Sequence, residues 1–271
     1  MSITDGVAAL ATLERIDYSR LLGYMRSFQA QGPDGVRRFR NGTTLEDVLA
    51  LYEFDRKLRL LSMDAAERLE VALRAAIVSE VAVTHGPHFY LDSKHFKSVD
   101  GWSMFNAAVR EEKDRSAVLR HYFANYDSPP MPPIWSAMEA VSFGTLSHLY
   151  SNLNPPLQKA IAKRFNYPEN VVLSWFRSTT LLRNASAHHA RLRNTRNGVD
   201  KPVRARKVKD EFGDSMNTFF ARAVAIVALF EELGHDRGWK MRLRELIDTH
   251  PFVNESQMGF PEGWRQRSFW K

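Results

Sequence analysis

Arg183, Asn184 and His188 bring a fixed cation, an amide and a titratable imidazole within two helical turns, in the run RNASAHHARLRN (183–194). Scission of an RNA phosphodiester without a metal needs groups of this kind. The neighbouring 2′-hydroxyl is the nucleophile, so a base must take its proton, an acid must protonate the leaving 5′ oxygen, and cations must hold the phosphorane. An imidazole, with an ordinary pKa of about 6.5, serves as base or acid. A guanidinium stays charged and bonds two phosphate oxygens at once. An amide four residues before the histidine shares its helix face and can hold either the imidazole or the phosphate. An arginine and a histidine at this spacing recur by chance, so the elements that carry them decide what they mean.

Pro168 opens a helix predicted to run to Arg191 or Leu192. At helical periodicity Arg177, Thr180, Asn184, His188 and Arg191 form a polar stripe about 80° wide, while Val172, Trp175, Phe176 and Leu182 face elsewhere, toward a core. Arg183 lies about 140° around from His188. Its long side chain wraps back, or a second copy of the helix completes the site. The competing readings are an Arg183 salt bridge to another helix and a satisfied buried histidine at 188. His189 falls on a different face and reads as structural. Adjacent histidines diverge on a helix, and no carboxylate ligand is near in sequence, so neither a metal nor a cofactor is expected.

Beyond the motif, Arg191, Arg193, Arg196, Lys201, Arg204, Arg206, Lys207 and Lys209 are opposed by Asp200 alone. With Arg177, these cations are the expected RNA contacts, since a dense cationic strip binds phosphate backbones without sequence preference. A solvated loop is the alternative. Arg37, Arg38 and Arg40 make a smaller patch. Asp55 and Arg59 form an i,i+4 pair in a charged set with Tyr52, Glu53 and Arg56 that reads as structural, as do Glu67, Glu70 and Arg74. Trp135, Phe143, Trp175 and Phe176 read as core. Trp264 and Trp270, in an irregular tail, are available for base stacking if exposed.

The chain has 271 residues, 44% of them hydrophobic, enough for a large helical core, and a formal net charge of +7 that suits an anionic partner. It has no cysteine, which excludes disulfides and thiolate metal sites and suits a reducing compartment. The first residues do not read as a signal peptide, and no apolar run approaches the roughly 20 residues of a membrane helix. A cytoplasmic location and no membrane partner are expected.

Helical periodicity prevails throughout, and the predicted class is all-α. Helices are expected over 16–28, 45–83, 102–126, 134–152, 155–165, 168–191, 208–233 and 239–249. Residues 29–42 read as a loop, Thr43–Glu46 as a capping box, and Asp64–Glu67 as a second box marking a bend or restart. One domain spans 1–271, with a possible N-terminal subdomain 1–128 ending at the proline connector, a motif region 129–250 and a tail 251–271.

Several ordered segments together resemble the AbiD/AbiF-like abortive infection family, within the HEPN superfamily of helical ribonucleases and nucleotide-binding proteins. They are Leu22-Gly23-Tyr24; Gly42 to Asp47 with Tyr52 to Arg59; Glu67 to Arg74; Pro133-Ile134-Trp135 with Val141 to Leu146; Leu182-Arg183-Asn184 with Ala187-His188-His189; and His250-Pro251 with Met258 to Pro261. Arg193 departs from the pattern, which often has tryptophan there, and Ser186 stands where cysteine is common. The resemblance implies a HEPN-like bundle, a homodimer that pairs two motif helices, and an endoribonuclease toxin with Arg183 and His188 catalytic and Asn184 orienting. The alternative is a module that holds a structured non-coding RNA antitoxin and cuts little or not at all.

Overall fold

The computed structural model describes residues 1–194, 199–234 and 238–271; Arg196 of the basic strip lies outside them. Helices α1 (Gly6–Arg15) and α2 (Tyr18–Met25) open the chain. Each is started by an aspartate whose carboxylate accepts from free first-turn amides, Asp5 from Val7 and Ala8, Asp17 from Ser19. A 3-10 turn (Arg26–Phe28) leads into a short antiparallel hairpin, β1 (Gln29–Gln31) and β2 (Arg37–Phe39), with Gln29 opposite Phe39. The loop predicted over 29–42 is therefore this hairpin, whose largely exposed polar residues carry no hydrophobic alternation to read.

Helix α3 (Leu45–Ile77) is the spine of the molecule. It continues through a π turn (Val78–Ala82) into α4 (Val83–His85), and Gly86 ends it at φ +87°. Its capping box is Thr44 with Asp47, one residue later than the predicted Thr43–Glu46, because the Thr43 hydroxyl is already bonded to Arg40 O. The helix runs unbroken through Asp64–Glu67, where Asp64 pairs with Arg68 and Arg242 rather than capping a restart.

Two predicted helices are each split in two. The first becomes α5 (Val99–Glu111) and α6 (Ala117–Asn125), with Ser116 capping the second piece. The other becomes α7 (Ile134–Ala140) and α8 (Phe143–Asn152), where Ser142 accepts from the Thr145 amide. Next come α9 (Pro155–Lys163), started by Asn154, and α10 (Glu169–Ala187), the motif helix. A 3-10 stretch (Arg206–Glu211) precedes α11 (Phe219–Glu232), which starts at Thr218, later than predicted. Helix α12 (Gly238–Asp248) and three 3-10 turns complete the chain. The class is all-α, the hairpin apart.

Helix α10 packs against α3 and against α11, which is buried from Phe219 to Phe230 and apolar there except for Arg222. One hydrophobic core joins residues from Leu21 to Trp270 and is continuous across the proline connector through Leu119, Met131 and Ile134. The tail is part of that core. Trp264 and Trp270 are buried, and Trp270 stacks on Phe220 with ring centroids 5.4 Å apart, so neither offers a face to a nucleobase. Trp135, expected inside, is 48% exposed. Among the described residues, no helix is long and apolar enough to cross a membrane.

Candidate active site

Helix α10 ends four residues sooner than its periodicity suggests. His188 is its C-cap, and His189 takes a left-handed conformation at φ +57°. The His189 amide donates to Ser186 O (3.1 Å) and the Ala190 amide to Ala185 O (2.8 Å), the two bonds of a Schellman motif. Glycine normally fills the left-handed position; histidine is one of the side chains that tolerate it. Arg191 and Arg193 are therefore off the helix, and the polar stripe stops at His188. His189→Gly is expected to leave the protein at least as stable as wild type. His189→Val, whose branched Cβ opposes positive φ, is expected to cost about 1–2 kcal/mol in urea unfolding.

The turn after the helix is held by a buried charge. Asp55, fully buried on α3, accepts from Tyr24 Oη (2.7 Å), Arg59 Nη1 (2.9 Å) and the backbone amides of Leu192 (3.2 Å) and Arg193 (2.9 Å). Arg59 also reaches Ala190 O. Burial, with the Asp55 charge beside it, holds the Tyr24 phenol well above its usual range. The predicted i,i+4 pair is real, and its task is to tie α2, α3 and the post-motif turn together. Glu53 pairs with Arg56 and, among the described residues, makes no hydrogen bond or ion pair to a motif residue. On the outside of the turn, Arg20 Nη1 donates to His189 O (3.2 Å) and Arg191 Nη1 to Gly23 O (2.8 Å).

His188 itself is exposed, and its imidazole has no hydrogen-bond partner among the described residues. This excludes a satisfied buried histidine. Arg183 is half-buried, and its Nη1 donates to Asn184 Oδ1 (3.2 Å). Asn184 thus braces the arginine, and not His188 within the same chain. Behind them, Arg74 Nη2 donates to Glu70 Oε1 (2.6 Å) and Arg74 Nη1 faces Glu139 Oε2 (3.6 Å). Burial raises the Glu70 carboxyl above its ordinary range, against the pull of Arg74 and then Arg183. Arg183 therefore has a carboxylate behind it, but no ion pair of its own among the described residues. At helical periodicity the side chains of Arg183 and His188 leave the helix end about 140° apart.

The basic strip is only partly where its sequence position suggests. Val203 is tied to the start of α10 by Trp175 Nε1 to Val203 O (2.8 Å) and Val203 N to Ser174 Oγ (3.0 Å). The chain after the motif has therefore doubled back. From Ser174 to His188 is about 20 Å along the axis. Lys201, Arg206 and Lys209 are exposed, with no partner among the described residues, but on this far stretch. Arg204 bonds Gly213 O and Asp214 O, and Lys207 bonds Glu232 while covering the Tyr167 ring. Arg193 does not face solvent at all. It is buried, joins Gln257 of the tail to Ser27, and has its guanidinium pKa lowered by desolvation. It occupies a packing position. Arg177 is exposed on α10; burial, and after it the charge of Arg177, lower the pKa of the Lys97 ammonium.

The cations that do adjoin the helix end are Arg20 and Arg26 of the α2 segment, with Arg191. The first two were not legible as site residues, since contacts such as Arg20 to His189 span 169 positions. Among the described residues, no three histidine, aspartate or glutamate side chains gather as metal ligands.

Comparison with curated proteins and with solved structures returned no match. A family model described as Abi-like protein matches residues 11–194, from the first helix through the end of the motif segment and its turn. The chain belongs to the Abi-like family of abortive-infection proteins.

Proposed function

We propose that the protein is a metal-independent endoribonuclease toxin of HEPN type, built as a homodimer whose paired motif helices form one RNA-cleaving cleft. Arg183 holds the scissile phosphate, His188 moves the proton, and Asn184 keeps the guanidinium aimed. The observation that carries this reading is the helix end itself: an exposed imidazole with no hydrogen-bond partner among the described residues and, on the same last turns, a braced, half-buried arginine, followed by a turn held by a buried ion pair. The divergence of Arg183 and His188 within one chain favours a second copy. Val71 and Trp135, exposed on α3 and α7, offer apolar surface for such pairing.

Incubation of the purified protein with RNA in excess EDTA tests the reading. Fragments ending in 2′,3′-cyclic phosphate and a dimer mass are expected; intact RNA with a monomer mass would reject it. A second reading has its own support. The exposed cations Arg177, Lys201, Arg206 and Lys209 extend away from His188 along α10, farther than a single scissile phosphate requires. A structured RNA antitoxin would use that length. RNA that co-purifies through salt washes without being turned over would favour that binding role.

A further inference from the structure

We infer that the cavity between α2 and the turn after α10 is a phosphate pocket that grips the RNA strand next to the bond being cut. The inference rests on the ribonuclease reading above. The cavity measures about 550 Å³, within the range of ligand pockets, and is open to solvent. Its charged side chains among the described residues are Arg20, Arg26 and Arg191 against Asp17, with the titratable His189 and Tyr24 beside them. The Asp17 carboxylate is already committed to capping α2 through the Ser19 amide (3.0 Å) and hydroxyl. Three guanidiniums against one carboxylate thus leave the described lining net positive, and planar forks match phosphate oxygens. Leu22 and Tyr24 are the largest apolar side chains of the lining, and Tyr24, 3% exposed, offers no open ring face to a base, so the walls suit a sugar–phosphate backbone better than a base.

The pocket is built rather than a chance gap. A Cβ on Gly23 would come within 2.9 Å of Arg191 Nε, so the absence of a side chain there lets the arginine lie on α2 and bond Gly23 O. Arg20 fixes the opposite wall through His189 O. Arg26 is exposed and has no partner among the described residues. Position supplies the rest of the argument. His189 lines the cavity and His188 precedes it by one residue, about 3.8 Å between Cα atoms. A strand presenting one phosphate to His188 brings a neighbouring phosphate to this pocket, whereas the strip at Lys201–Lys209 is about 20 Å away along the helix.

The test measures binding of a fluorescent single-stranded RNA by anisotropy across a potassium chloride series. His188→Ala protein is used so that the probe is not cut. Into it are introduced Arg20→Ala with Arg26→Ala, Arg26→Ala alone, and Arg115→Ala with Arg120→Ala as an equal loss of charge elsewhere. The pocket pair is expected to weaken binding tenfold to a hundredfold, and to flatten the slope of log affinity against log salt by about 1. Arg26→Ala, which breaks no contact among the described residues, should shift binding in the same direction. The control pair should change little. If the pocket pair behaves like the control, the pocket is overturned while the ribonuclease reading stands. If the parent shows no salt-dependent RNA affinity, the RNA reading fails and the inference fails with it.

Discussion

Asp55→Ala is expected to destabilise the protein by about 3–5 kcal/mol, the usual consequence of removing one partner of a buried ion pair. The reason is the number of donors left behind. Arg59, with its side chain 5% exposed, would keep its charge in the core, and the Tyr24 hydroxyl and the amides of Leu192 and Arg193 would lose their common acceptor. An uncompensated buried charge and unpaired buried donors are the most damaging results of a point change. At about 2–4 °C per kcal/mol for a chain near this size, the thermal midpoint should fall by about 10 °C. Asp55→Asn keeps an acceptor for the two amides and should lose less. Tyr24→Phe, which removes one donor and leaves the ion pair, should cost about 1 kcal/mol. Urea unfolding of the three variants gives the order; an Asp55→Ala protein within 1 kcal/mol of wild type would show that the carboxylate is not the clamp. Because the same acceptor pins the turn behind His188, RNA cleavage by Asp55→Ala should fall even where the protein is still folded.

That clamp also marks the limit of what could be read from the chain. Asp55 and Arg59 are visible as an i,i+4 pair because the spacing alone puts them on one helix face. Their role is not visible, since the amides that Asp55 accepts from lie 137 and 138 positions away. The all-α class follows from helical periodicity, and α10 was legible as the motif helix because Pro168 starts it and its apolar face repeats. Its end was not legible, because the signal for a helix C-terminus is glycine and here His189 adopts the left-handed position. The α5–α6 and α7–α8 breaks contain no proline or glycine at the break, only Ser116 and Ser142 as capping residues, which also occur within helices. Trp264 and Trp270 sit in short 3-10 turns with no periodicity to read, and their burial comes from packing on each other, on Phe260 and on Phe220 of α11, which sequence spacing does not show. The basic strip misled in the most instructive way. Its cations follow the motif in sequence, but Val203 is tied back to Ser174 and Trp175, so closeness along the chain becomes distance in space. Arg20 and Arg26 reach the motif by the opposite route, from the far end of the chain.

His188→Ala should lower RNA cleavage by about 10²–10⁴-fold, the usual contribution of a positioned acid or base. The same substitution should leave stability within about 0.5 kcal/mol, because the side chain is exposed and makes no hydrogen bond among the described residues. That separation of activity from stability is the informative part, since a structural histidine would lose both. Arg183→Ala should reduce cleavage by about 10²–10³-fold, as removal of a preorganised contact to developing charge does. Arg183→Lys should recover little, because an ammonium cannot reproduce a bidentate fork. Asn184→Ala removes the 3.2 Å brace on Arg183 and should have a smaller effect, acting through the arginine. If Arg183 and His188 serve one phosphate, the double variant should be scarcely worse than the more damaging single one, since groups acting as a unit are not additive. Losses that multiply would mean two separate roles. His189→Ala separates the adjacent histidines: it changes the pocket beside the site and should spare the chemical step, so single-turnover cleavage at saturating RNA should stay near wild type. Wild-type cleavage by His188→Ala, or equal loss in both histidine variants, would remove His188 from the reaction and with it the cleft that two protomers are proposed to build.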